Sequence, residues 1–332
     1  MKTTLRNDVL KEFSLQTIFF PNFRFAYSQF QKAVETTGLR QTASCAFLIG
    51  QSGSGKSRLC ELFRDSFGPS REEVDADGIH KIIPALYCLV PAPVTIKGIC
   101  VTLLKQLGEY SPYSNVHELN NLLVARLKTC KVRVLIFDEI QRLLKPEAEK
   151  TRDGTLDWLV ALSSLSHLPI ILSGTEQCSE LFDGNAPFAR RFCYVANLGY
   201  FKYEDHATSD FHLTLQGLDQ ELYRLANFAG EEHLHDVSIK IPLYVASVGN
   251  LEYVRQIIYE AVSICLSRAA LTPTLTRADF IDACRVLLLP LNLAKGDNPF
   301  TIPLSKSLSL IEKYEDEKTN LRSDAARGRK PA

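Results

Sequence analysis

One stretch of eight residues constrains this chain more than any other. Gly50-Gln51-Ser52-Gly53-Ser54-Gly55-Lys56-Ser57 fits G-x-x-x-x-G-K-[ST] at every position. The glycines let the backbone fold tightly, so that several N–H groups point at phosphate oxygens. The helix that must follow adds the partial positive charge of its N-terminus. Gly50, Ser52, Gly53, Ser54 and Gly55 form the cradle, and Arg58 just beyond it joins the nucleotide-binding set. Lys56 neutralises the β- and γ-phosphates of ATP, and the Ser57 hydroxyl ligates Mg²⁺. Average residue frequencies give a chance match in about one such chain in a hundred. Here the match also lies between an apolar run (43–50) and a helical pattern (56–67), as the mechanism requires.

Val134-Leu135-Ile136-Phe137-Asp138-Glu139 is a buried strand ending in two carboxylates, about eighty residues after the loop. A strand end beside the phosphate loop is where Mg²⁺ sits. Asp138 holds the metal directly or through water, and Glu139 orients and deprotonates the attacking water. Strands often end in acids, so this pattern gains its weight from the loop. Ile170-Ile171-Leu172-Ser173-Gly174-Thr175 is a further apolar strand with small hydroxyl residues at its end. Thr175 or Ser173 senses the γ-phosphate or holds the lytic water, or else Thr175 only caps the next helix. Pro187-Phe188-Ala189-Arg190-Arg191-Phe192 offers two guanidinium groups that could reach a neighbouring subunit's ATP; a solvated pair of charges is the competing reading.

Short strands, apolar on both faces and alternating with helices, indicate an α/β fold built on a buried parallel sheet flanked by helices. Strands are expected at 43–50, 85–90, 132–137, 170–173 and 193–198, with helices at 22–37, 56–67, 96–110, 116–129 and 155–166 and a short one after Thr175. A polar turn region spans 68–81. Beyond about Tyr203 the strand-like runs stop, and 218–230, 241–248, 251–267 and 276–289 read as helices of a small C-terminal domain, the last opened by Thr276 as N-cap. The expected division is an N-terminal extension (1–40), a P-loop core (41–202), a helical domain (203–290) and a partly disordered tail (291–332) with an acidic and then a basic stretch. The aromatic patch Phe19, Phe20, Phe23, Phe25, Tyr27 and Phe30 is either core or a cover for the adenine.

Thirty-eight basic and 38 acidic residues leave no net charge. A chain that coats nucleic acid wholesale usually carries excess Lys and Arg, so any DNA contact must come from a local stripe. The nine cysteines contain no C-x-x-C pair and sit mostly in apolar runs, which indicates buried free thiols in a reducing cytosol. His233 and His235 read as surface histidines without metal. No signal-peptide core opens the chain and no apolar run is long enough to span a bilayer, so the expectation is a cytoplasmic protein with no membrane partner.

The order of these motifs resembles the AAA+ ATPases, with a P-loop core and a small helical lid. More narrowly it resembles the TniB/TnsC group of ATP-dependent transposition regulators. The features that carry the narrower resemblance are Val90-Pro91-Ala92-Pro93-Val94-Thr95-Ile96-Lys97-Gly98 with Leu103-Leu104-Lys105-Gln106-Leu107-Gly108, then Phe137-Asp138-Glu139-Ile140-Gln141-Arg142-Leu143, and Leu172-Ser173-Gly174-Thr175-Glu176. The resemblance covers roughly residues 20–290, and the length resembles the compact versions carried by CRISPR-associated transposons. The resemblance implies that Arg190 or Arg191 acts as a finger in trans, with Arg191 the better placed, and that Arg255 is the second sensor, although Glu252 occupies the position where relatives carry that arginine. It places Thr95 and Lys97, and more weakly Lys105, Lys145 and Lys150, against the DNA backbone, where contacts carry charge but read no bases. It further implies rings or helical filaments, hexameric or heptameric per turn, on double-stranded DNA. Such assemblies link a target-selection protein to a transposase, and hydrolysis disassembles them. Two other jobs fit the same residues: a helicase loader or replication-initiator-type ATPase, and a nucleotide-gated scaffold with little turnover.

Overall fold

A computed structural model describes residues 2–75, 78–109, 115–182, 185–268 and 273–326. The chain forms two compact units, one of residues 22–199 and the other of residues 1–21 with 200–332.

The first unit holds a five-stranded parallel sheet. Its strands are β1 (Ala46–Ile49), β4 (Ala85–Leu89), β5 (Val134–Asp138), β6 (Ile170–Gly174) and β7 (Tyr194–Asn197), in the order β4-β5-β6-β1-β7. Every residue of β1, β5 and β6 is buried, because helices cover both faces of a parallel sheet and the strands are apolar on both sides. The covering helices are α2 (Pro21–Arg40), α3 (Lys56–Asp65), α4 (Ile96–Gln106), α5 (Val116–Thr129), α6 (Glu149–Ser166) and the short α7 (Ala186–Arg191). Their apolar stripes close the core: Ile99, Leu103 and Leu104 of α4, Leu119, Leu123 and Leu127 of α5, and Leu156, Leu159 and Leu162 of α6 are at most 2 % exposed. Asn115 starts α5 with a capping box, accepting from the Glu118 amide while the Glu118 carboxylate accepts from its own.

Register brings the functional strand ends together. Ile49 pairs with Gly174, Phe137 with Leu172 and Leu89 with Asp138. The phosphate loop, the acidic pair and the Ser-Gly-Thr segment therefore leave the same edge of the sheet. The region expected as a polar turn (68–81) instead holds an antiparallel hairpin, β2 (Arg71–Asp75) and β3 (Gly78–Ile82). Its strands lack apolar alternation because they bury little, and an ion-pair chain from Arg71 through Glu73 to Lys131 ties β2 to the start of β5. The expected end of the helix at Tyr110 lies outside the described residues.

The second unit is helical: α1 (Lys2–Leu15), α8 (Asp210–Ala226), α9 (Val237–Ser247), α10 (Leu251–Ser267), α11 (Arg277–Val286) and α12 (Leu304–Ala326). Residues 239–247 of α9 are all buried, so this helix forms the centre of the unit. Gly249 follows it at φ 71°, and a Cβ there would come within 2.3 Å of the Phe201 carbonyl oxygen, so only glycine fits. Asn250 then caps α10 by accepting from the Glu252 and Tyr253 amides. Thr276 opens α11, with Asp279 accepting from both its amide and its hydroxyl.

Two segments depart from the sequence reading. The expected N-terminal extension (1–40) is divided: α1 belongs to the helical unit, while α2 packs Tyr27 and Phe30 against Phe63 of α3. The expected tail contains the 23-residue helix α12, which packs on α9. Ser307 and Ile311 are buried there, and the Tyr244 hydroxyl donates to Glu315 at 2.9 Å. The basic end of the tail, 327–332, lies outside the described residues. Among the described residues no helix is long and apolar enough to cross a membrane.

Candidate nucleotide site

The loop after β1 turns immediately at Gly50, where a Cβ would lie 2.0 Å from the Leu198 carbonyl oxygen; any side chain would separate β1 from β7. Gly53 and Gly55 take φ of 78° and 95°, the left-handed region that glycine enters without steric cost. Gly55 is also the N-cap of α3, and as a glycine it offers no side chain to cap the first turn of that helix. Ser54 Oγ is buried with no hydrogen-bond partner. These features fit a phosphate-binding loop.

Lys56 is 9 % exposed and donates to the Gln51 carbonyl at 2.8 Å, which folds the loop over its own lysine. Burial lowers its pKa from the ordinary lysine range, and Asp138 and Glu139 oppose that shift. Ser57 is exposed at the start of α3, and Arg58 lies 3.6 Å from Glu61 on the same helix. Ser52 is exposed on the loop.

Asp138 ends β5 and is 1 % exposed. Both its carboxylate oxygens have donors: the Glu139 amide reaches Oδ1 at 2.9 Å and the Tyr87 hydroxyl reaches Oδ2 at 2.7 Å. Burial and the Asp138 carboxylate raise the Tyr87 pKa, so this hydroxyl keeps its proton and remains a donor. Glu139 sits at φ 65°, an unusual conformation for a residue with a side chain and one that concentrates at functional sites. Its Oε2 accepts from Gln141 Nε2 at 3.0 Å.

Ser173 Oγ, Thr175 Oγ1 and Gln141 Oε1 are buried without a hydrogen-bond partner. The two hydroxyls face the thiols of Cys60 and Cys178, which are weak hydrogen-bonding groups. Burial raises both thiol pKa values, Cys178 to about 11, so these cysteines stay protonated. Thr175 does not start a full α-helix; a 3-10 segment, Glu176–Phe182, follows it.

The two arginines of α7 have different surroundings. Arg191 donates to the Ala43 carbonyl and to Ser164 Oγ, each at 2.8 Å, and ties α7 to the unit's own core. Arg190 is exposed. In the helical unit, Arg255 donates to the carbonyls of Phe13, Ser14 and Gln16 at 3.1, 3.0 and 2.9 Å, serving the orphan carbonyls at the end of α1. Thr95 is the N-cap of α4, its hydroxyl accepting from the Gly98 amide at 3.0 Å; Lys97 and Lys105 are exposed on that helix, as are Lys145 and Lys150 further along the chain. Of the aromatic patch, Phe23 and Phe30 are core and Phe25 is 51 % exposed. His233 bonds Asp219 at 2.8 Å, and among the described residues no cluster of three or more His, Cys, Asp or Glu could hold a metal ion.

Sequence reading did not assign Tyr87 or a role for Gln141. Tyr87 carries no motif, and only the register of β4 on β5 discloses it. Gln141 lies two residues from Glu139, a spacing that does not face on a regular helix; the left-handed backbone at Glu139 and the 3-10 segment after it bring the two side chains together.

The sheet order, the loop and the strand-end carboxylates define a P-loop protein of the AAA+ ATPase fold, as the sequence led us to expect. Two solved structures share it. The Orc1 protein of Aeropyrum pernix, solved in complex with DNA, is similar with a TM-score of 0.56 and 13 % identity, over 92 % of this chain and 86 % of that one. Cdc6p of Pyrobaculum aerophilum is similar with a TM-score of 0.55 and 15 % identity, over 81 % and 68 %. The family description "Bacterial TniB protein" matches residues 14–200, more than half of the chain, and the chain belongs to that family. A search of curated proteins gave no match.

Proposed function

We propose that this chain is an ATP-dependent regulator of DNA transposition that assembles on double-stranded DNA and links a target-selection protein to a transposase. The observation that carries the reading is the convergence of Lys56, Asp138, Glu139 and the Ser173–Thr175 segment at one sheet edge, in a member of the TniB family. The substrate is ATP. Ser57 and Asp138 would hold Mg²⁺, which neutralises phosphate charge and orients the γ-phosphate when bound. Lys56 binds the β- and γ-phosphates, Glu139 takes the proton of the attacking water, and Thr175 and Ser173 supply the hydroxyls that sense the γ-phosphate. Arg190 is the candidate finger in trans, since it is exposed on α7 whereas Arg191 bonds its own unit. Arg255 stays a candidate second sensor only if its three carbonyl bonds exchange for a phosphate. Loss of the γ-phosphate removes the ligand that a neighbour's arginine engages, so hydrolysis limits the lifetime of the assembly.

Electron microscopy of the protein with duplex DNA tests this, comparing a non-hydrolysable ATP analogue with ADP. Rings or filaments that need both DNA and the analogue are expected, persisting with ATP itself in Glu139→Gln and absent in Lys56→Ala. Particles indifferent to duplex DNA would move the reading to a helicase loader or initiator-type ATPase. Unchanged assembly and disassembly in Glu139→Gln would make the protein a scaffold with little turnover.

A further inference from the structure

We propose that Gln141 is a positioning residue that fixes Glu139 and the attacking water during ATP hydrolysis; this rests on the ATPase reading above. Gln141 lies in the 3-10 segment Ile140–Leu144, which begins directly after Glu139. The segment is firmly placed. Ile140 and Leu143 are buried, and the Arg142 guanidinium donates to the Val90 carbonyl across the end of β4. The Gln141 side chain is wedged beneath the end of β6. A Cβ added to Gly174 would come within 3.1 Å of Gln141 Oε1 and 2.6 Å of both Ile140 Cγ2 and Cys178 Sγ. Glycine at 174 thus makes room for this amide, and Gln141 lies between Glu139 and the Ser-Gly-Thr strand end.

Its two amide atoms differ. Nε2 donates to Glu139 Oε2 at 3.0 Å, whereas Oε1 is buried and has no hydrogen-bond partner. A buried acceptor without a donor is destabilising and is uncommon in folded proteins, so one with this placement points to a donor that arrives with the substrate. Water attacking a phosphoryl group has two O–H bonds to direct. Glu139 Oε2 is held by Gln141, which leaves Oε1 of the same carboxylate to accept one hydrogen, and Gln141 Oε1 accepts the other. In the step, the water oxygen forms a bond to the γ-phosphorus while the bond from that phosphorus to the β,γ-bridging oxygen breaks. The electron pair leaves on ADP, the water proton passes to Glu139 Oε1, and the products are ADP and inorganic phosphate. Gln141 gains and loses no proton.

The test is steady-state ATP turnover of the full chain on duplex DNA for Gln141→Leu, Gln141→Glu and Glu139→Gln. Gln141→Leu keeps the bulk but removes donor and acceptor; kcat is expected to fall about 10- to 100-fold with KM for ATP within about twofold, as for a displaced catalytic group. Gln141→Glu keeps the shape but replaces the Nε2 donor with an acceptor facing Glu139, so its kcat is expected to fall at least as far, again with KM for ATP within about twofold. Gln141→Leu turnover equal to or above the parent, or a loss confined to KM, would overturn the proposal, and so would parent-like turnover of Gln141→Glu. If Glu139→Gln turns over like the parent, the ATPase reading itself fails, which separates the two.

Discussion

Arg190 and Arg191 are adjacent in the chain and differ in what they touch. Reading the sequence alone favours Arg191 as the finger, because a motif fixes the order of residues but not which way each one points from a short helix. The bonds of Arg191 to Ala43 and Ser164 hold α7 against the start of β1 and the last turn of α6. Arg191→Ala should therefore weaken the fold, by about 1–2 kcal/mol for two hydrogen bonds at a partly exposed site. Arg190→Ala should leave the thermal midpoint unchanged yet lower DNA-stimulated ATP turnover by a hundredfold or more, the order of effect of a missing finger. Thermal unfolding and turnover measured on both variants decide the assignment; the reverse pattern would restore Arg191. Tyr87 shows the same limit of sequence reading. Its hydroxyl reaches Asp138 only because Cys88 pairs with Phe137 and Leu89 with Asp138 across two strands, a fact of register that neither strand states alone.

Among elements, those legible in the sequence are the ones whose pattern is set by the core. β1, β5 and β6 are buried on both faces, so each reads as an apolar run, and the loop and carboxylates expected at their ends lie together at one end of the sheet. Elements held by few apolar residues were not legible. The β2–β3 hairpin is charged and tied by ion pairs. Helix α12 presents Ile311 and a buried serine to its neighbour among many charges, and its composition resembles that of a solvated tail. Its register depends on α9, a helix buried on every side that must be covered. Ile311 is 3 % exposed, so Ile311→Ala should destabilise the helical unit by about 2–4 kcal/mol through lost burial and the cavity left behind. Urea unfolding of the variant would show this as a lower midpoint. A change under 0.5 kcal/mol would mean that α12 does not cover α9 in solution.

At the scale of the whole molecule, the equal numbers of basic and acidic residues matter most. On the proposed reading, a chain with no net charge cannot hold DNA through its overall charge, so duplex affinity would come from a few contacts per subunit, multiplied by assembly. The start of α4 has the features such a contact needs. The Thr95 hydroxyl accepts from the Gly98 amide and keeps its own proton to donate. Lys97 lies in the first helical turn, where the helix dipole also favours an anion. Lys105 lies in the last turn of α4, about 12 Å further along the axis, where the dipole has the opposite sign. Lys97→Ala is therefore expected to weaken duplex binding equally on unrelated sequences and to lower the slope of log affinity against log salt by about 1 per subunit. Lys105→Ala should leave that slope nearly unchanged. Fluorescence anisotropy over a salt series with the non-hydrolysable analogue measures both. Equal slopes for Lys97→Ala and the parent would remove the α4 N-terminus from the DNA path, and a larger drop for Lys105→Ala would move the contact to the other end of the helix.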